Sequence, residues 1–114
     1  MRHRKKLKIG KGTDQKRKLL RSLASSLMLY EKIKTTLKNA RAAKSYAEKL
    51  ITRSKDNTLH NRRILASMLS PMAAKKAMEI LGPKYKDRKG GYTRMIKLVH
   101  HNSGASQVLL ELVE

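Results

Sequence analysis

The chain has 114 residues, room for one domain and one modest core, and its 28 Lys and Arg against eight Asp and Glu leave a formal charge of +20. Such an excess repels itself in a compact body, and the natural polyanion to neutralise it is nucleic acid. The lack of cysteine excludes disulfides, zinc knuckles and thiolate catalysis, the lack of Phe and Trp leaves four tyrosines for any base stacking, and no apolar run reaches the ~18 residues of a membrane helix.

Residues 1–12 read as a basic arm. Arg2, His3, Arg4, Lys5, Lys6, Lys8 and Lys11 stand there without a single acid, and besides Met1 only Leu7 and Ile9 are large and apolar. That is too little burial to offset an ordering cost of roughly 1–2 kcal/mol per residue, so the arm needs phosphates to order it. The basic start is not followed by the apolar block of a secretion signal, and a soluble intracellular chain is expected.

Thr13 or Asp14 can cap a first helix, whose Leu19, Leu20, Leu23, Ala24, Leu27 and Met28 recur at 3- and 4-residue spacing. Lys16, Arg17, Lys18 and Arg21 fill its first turns, where positive charge opposes the helix dipole unless an external anion is present. Glu31–Thr35 alternates and predicts a short strand. Thr35 or Thr36 then caps a second helix running to about Ser54, with an alanine-rich stripe through Ala40, Ala43, Ala47, Leu50 and Ile51. Its cations Lys38, Arg41, Lys44, Lys49 and Arg53 lie largely off that stripe, the ordinary pattern of a solvated face.

Asp56-Asn57-Thr58 opens a third helix marked by Ile64, Leu65, Met68 and Leu69, with Arg62 and Arg63 beside the apolar seam. Ser70-Pro71 restarts the chain, serine as cap and proline at the first helical position. Ala74, Ala77, Met78 and Leu81 give the fourth helix its buried side, and Gly82-Pro83 predicts its end.

From Lys86 to Lys97 the reading changes from helices to strands. Gly90-Gly91 can take positive φ or a close backbone approach, with Arg88, Lys89 and Arg94 crowding charge around that point. Tyr92 can stack on a nucleobase or pack on the core as the first residue of a strand. Met95–His100 predicts a strand covered on much of both faces, Asn102-Ser103-Gly104 a turn, and Val108, Leu110 and Leu112 a half-buried final strand. The order α-β-α-α-α-β-β predicts an α+β fold: one strand and a C-terminal β-hairpin in a small sheet packed against about four helices, forming a single domain over residues 13–114.

Nothing in the chain reads as an enzyme. His3, His60, His100 and His101 have no companions for acid–base work, the adjacent pair points to opposite faces of a strand, and the acids form no paired motif. Neither a Walker loop nor a Rossmann fingerprint is present, so no cofactor, metal or small-molecule substrate is expected.

Met1-Arg2-His3-Arg4-Lys5, Lys34-Thr35-Thr36-Leu37, Leu50-Ile51-Thr52, Asn61-Arg62-Arg63, Arg88-Lys89-Gly90-Gly91-Tyr92-Thr93-Arg94 and Glu111-Leu112-Val113 carry a resemblance that runs nearly end to end. The chain resembles the bacterial large-subunit ribosomal protein seventeen family. That resemblance implies a two-layer fold with a small mixed sheet, lying on large-subunit rRNA near the polypeptide exit tunnel beside neighbouring ribosomal proteins, on a cytoplasmic ribosome and away from membranes. Two places depart from the family pattern: His101-Asn102-Ser103-Gly104, which is shorter and lacks an aspartate, and Gln15-Lys16, where members commonly show His-Arg.

The expected RNA contacts are therefore Arg2, His3, Arg4, Lys5, Lys6, Lys8 and Lys11 in the arm, Lys16, Arg17 and Arg21 on the first helix, Arg62 and Arg63 on the third, and Arg88, Lys89, Gly90, Gly91, Tyr92 and Arg94 in the glycine loop. From charge alone, the rival reading is a nucleoid-type architectural DNA-binding protein, although no exposed apolar wedge or dimer seam is evident.

Overall fold

The computed structural model describes residues 13–98 and 107–114. The arm, His100, His101 and the predicted 102–104 turn lie outside the described residues. Helix α1 (Thr13–Tyr30) leads into β1 (Lys32–Thr36), α2 (Leu37–Ser54), α3 (Leu59–Met68) and α4 (Pro71–Lys76), followed by β2 (Thr93–Lys97) and β3 (Gln107–Leu112).

The expected α+β arrangement and element order hold. The sheet, however, is antiparallel throughout and not mixed: β3 lies between β1 and β2 and runs against both, pairing Lys32 with Glu111 on one side and Thr93 with Leu112 on the other. β3 alternates as its sequence does, with Val108, Leu110 and Leu112 buried and Gln107, Leu109 and Glu111 partly exposed. β2 departs from expectation, because it is an edge strand covered on one face only. Thr93 is buried and Met95 packs on the core, while Ile96, on the opposite parity, is 41 % exposed.

Among the described residues, side-chain caps set the starts of α2, α3 and α4. Thr36 accepts from Asn39 N at 3.3 Å, Thr58 from Asn61 N at 3.1 Å and Ser70 from Ala73 N at 3.4 Å, each satisfying a first-turn N–H that has no partner within its helix. Between α1 and β1, Glu31 adopts φ 65°, and its N–H donates to Leu27 O at 2.8 Å in a left-handed helix stop. Its carboxylate meets Lys76 at 3.5 Å and Lys84 at 3.6 Å, which ties that turn to the fourth helix.

The fourth helix does not end at Gly82-Pro83. It widens into a π segment (Ala77–Leu81), in which Gly82 N–H donates to Ala77 O, and takes a last α turn over Gly82–Lys84. The wide turn falls just before Pro83, whose ring would press on the carbonyl four residues back in a regular helix. Gly82 keeps helical φ of −55°, so its smallness serves packing and not a left-handed stop. A Cβ there would collide with the Ser54 carbonyl oxygen of α2.

The core lies between helices and sheet. Ala40, Ala43 and Ala47 are fully buried and let α2 approach Ala24, Leu27 and Met28 of α1. Leu65, Leu69, Ala73, Ala77 and Leu81 close one side, and Tyr85 and Tyr92 pack beside the sheet.

Candidate nucleic-acid interface

The glycine loop is tied to one stripe of α2. Glu48, Thr52 and Lys55 follow at spacings of four and three, one face of a helix. Glu48 Oε2 accepts from the Thr93 backbone N–H at 3.1 Å and its hydroxyl at 2.9 Å. Thr52 Oγ1 donates to the Tyr92 hydroxyl at 3.3 Å, and Lys55 Nζ donates to the same oxygen at 2.8 Å and to Arg88 O. The Tyr92 hydroxyl in turn donates to Arg88 O at 3.2 Å. Burial pushes the Tyr92 phenol up, but the hydrogen bonds from Lys55 and Thr52 and the Lys55 charge outweigh it and leave it below the usual tyrosine value.

Tyr92 is 1 % exposed, and its ring lies 5.3 Å from that of Tyr85 at 53°. No face is left for a nucleobase, so of the two roles open to this residue in sequence the core one is correct, and it supports the loop from beneath. Gly91 takes φ 64°, the left-handed conformation that glycine adopts at little cost. Gly90 and Gly91 are exposed, and a Cβ on either would meet nothing of this chain within 4 Å. Arg88 turns its Nε back on the carbonyls of Gly90 (3.3 Å) and Gly91 (3.2 Å). Lys89 is exposed, and Arg94 pairs with Glu111 across β2 and β3. The charge of Arg94 is thus answered within the protein.

A second cationic region lies on α1. Arg17, Lys18 and Arg21 line a cleft of about 440 Å³ with Tyr46, Ser67 and Met68, and among the described residues no acid lines it. Arg21 Nη2 donates to Leu69 O at 3.0 Å and the Tyr46 hydroxyl to Met68 O at 2.7 Å, fixing the end of α3 as one wall. Lys16 is partly exposed one residue before this cleft. Lys18 is an addition to the expected contacts. On α3, Arg62 and Arg63 are both exposed, and Arg62 Nε donates to Asn57 Oδ1 at 2.8 Å.

At about 100° per residue, Tyr46 lies roughly half a turn around α2 from Glu48, Thr52 and Lys55. The glycine loop and the α1 cleft therefore flank α2 on opposite sides. Lys38, Lys49 and Arg53, all exposed, fall in the arc between them, while Arg41 continues the Glu48–Thr52 stripe toward the start of the helix. Sequence reasoning found the cations but missed Glu48, Thr52 and Lys55, whose only signal is their spacing beside the buried alanine stripe.

A small antiparallel sheet under helices, with Glu31, Glu48 and Glu111 engaged within the protein and cations left on two flanks of one helix, makes this a basic α+β protein whose surface charge suits a polyanion. The family model described as ribosomal protein L17 matches residues 19–113. Among curated relatives, the large ribosomal subunit protein bL17 of Carboxydothermus hydrogenoformans is 44 % identical over 108 residues, covering 93 % of this chain and 96 % of its own. That of Dictyoglomus thermophilum is 42 % identical over 116 residues, covering 99 % and 100 %. The chain belongs to the ribosomal protein L17 family. The family is a structural, non-enzymatic kind and does not favour the nucleoid-type alternative that charge alone left open.

Proposed function

We propose that this protein, as a structural constituent of the large ribosomal subunit, binds and stabilises large-subunit rRNA near the polypeptide exit tunnel, on a cytoplasmic ribosome. The observation that carries this reading is the pair of cationic surfaces, Arg17-Lys18-Arg21 in the α1 cleft and Arg88-Lys89 on the glycine loop, each held in place by hydrogen bonds to the rest of the fold. Phosphate contacts at these points position the protein and neutralise repulsion between adjacent RNA segments, and no reaction is involved. Lys16, Arg62 and Arg63 add backbone contacts, and Gly90 and Gly91 offer main chain that RNA can approach closely. Residues 1–12 act as a separate arm threading between RNA helices, with residues 13–114 as the globular part. Neighbouring large-subunit proteins share the surface.

The test is sedimentation of the native protein from a lysate. It is expected to travel with large subunits and to be released by high salt or by ribonuclease. Sedimentation with DNA after ribonuclease treatment would overturn the reading.

A further inference from the structure

We propose that Lys55 is a positioning residue that holds the Arg88–Arg94 loop in its RNA-contacting shape before RNA arrives; the inference rests on the reading of that loop as an rRNA contact. Lys55 follows directly on α2 and is only partly exposed. An ammonium has three donors. Here one goes to Arg88 O and one to the Tyr92 hydroxyl, while the charge sits 5.2 Å from the centroid of the Tyr92 ring. With two of its three donors committed inside the protein, Lys55 serves the loop, and phosphate contact falls to Lys89 on the loop it holds.

The consequence is mechanical. Arg88 O receives donors from both Lys55 and Tyr92, which fixes the peptide from which the Arg88 side chain departs. That side chain then closes on the carbonyls of Gly90 and Gly91, the second of which holds φ 64°. Glu48 secures Thr93 at the far end, and Tyr92 O accepts from Val113 N at 2.9 Å. A loop with two glycines would otherwise be among the costliest segments to order, at roughly 1–2 kcal/mol per residue. Fixing it during folding removes that cost from the binding step.

Lys55→Met leaves Arg88, Lys89 and Arg94 in the chain and removes only the clamp. In the free protein, exchange of the Lys86 and Arg88 amides, which donate to Pro83 O and Tyr85 O, is expected to quicken at least about tenfold, the low end for losing a hydrogen bond to a charged group, with the helical core unchanged. Lys55→Arg is expected to return exchange toward wild type. Tyr92→Phe, which keeps the ring packing, is expected to quicken it in the same segment. On a large-subunit rRNA transcript, Lys55→Met is expected to weaken binding about tenfold with the slope of log K against log salt unchanged.

Unchanged exchange in both Lys55→Met and Tyr92→Phe would overturn the proposal. So would a slope reduced by about 0.7–0.9 in Lys55→Met, the mark of a phosphate no longer neutralised. If the wild-type protein bound the transcript with no salt dependence, the functional reading would fail, while exchange in the free protein would still decide whether the clamp exists.

Discussion

At Gly91 the left-handed backbone and the open space around the residue separate two roles that a Gly-Gly pair usually confounds. Gly91→Ala is expected to cost about 1 kcal/mol of folding stability, because a side chain disfavours that φ. Gly90→Ala, with ordinary φ and nothing nearby, is expected to leave the urea midpoint unchanged. A loss of rRNA affinity in Gly90→Ala at unchanged stability is then the signature of close RNA approach, and unchanged affinity reduces Gly90 to a spacer. The tyrosines divide in the same way. Burial pushes the phenols of Tyr46 and Tyr85 above 10.0, partly offset by Arg21 at the first and mainly by Lys84 at the second. Their contribution to stability is complete below the unfolded value and is lost as pH rises through the folded one. Tyr92 runs the other way: its folded value is depressed, so its contribution is complete above 10.0 and is lost as pH falls through that folded value. In an alkaline titration followed by phenolate absorbance, Tyr92→Phe is expected to remove the earliest of these three transitions. Tyr46→Phe or Tyr85→Phe is expected to remove a later one. The sequence left Tyr92 undecided between base and core because its type suits both, and it is settled by Tyr85 seven residues back together with Thr52 and Lys55, distant in the chain.

Among the elements, those set by neighbouring residues were legible. Thr36, Thr58 and Ser70 each stand just before a helix with a hydroxyl able to reach an unpartnered N–H, and each does so. Ser70→Ala is expected to lower stability by about 1 kcal/mol, read from the urea midpoint at unchanged m value. What depends on distant packing was not legible. Strand direction follows from β3 entering between β1 and β2, and no local pattern states which strand a short segment will join. Gly82-Pro83 looks like a stop, yet the chain stays helical because the glycine is needed where it crosses Ser54. Gly82→Ala forces that crossing apart and is expected to cost at least about 1–3 kcal/mol, a fall in melting temperature despite the better helix former.

For the whole molecule, charge is the dominant quantity, and its effect is measurable as salt dependence. Each phosphate that the protein no longer neutralises should lower the slope of log K against log salt by about 0.7–0.9, so the double variant Arg17→Gln/Arg21→Gln is expected to lower it by roughly twice that. Removal of residues 1–12 is expected to weaken rRNA binding and leave cooperative melting intact; loss of the melting transition would instead make the arm part of the fold. The polyanionic partner class was legible from composition, but the division of the cations into separate regions was not, since it depends on the angular placement of contacts around α2. That placement has a geometric result. With the glycine loop on one flank of α2 and the α1 cleft on the other, the proposed rRNA contacts would stand apart by at least about the 10 Å thickness of the intervening helix. The protein would then act as a gauge block, setting a minimum gap between strands as well as holding them.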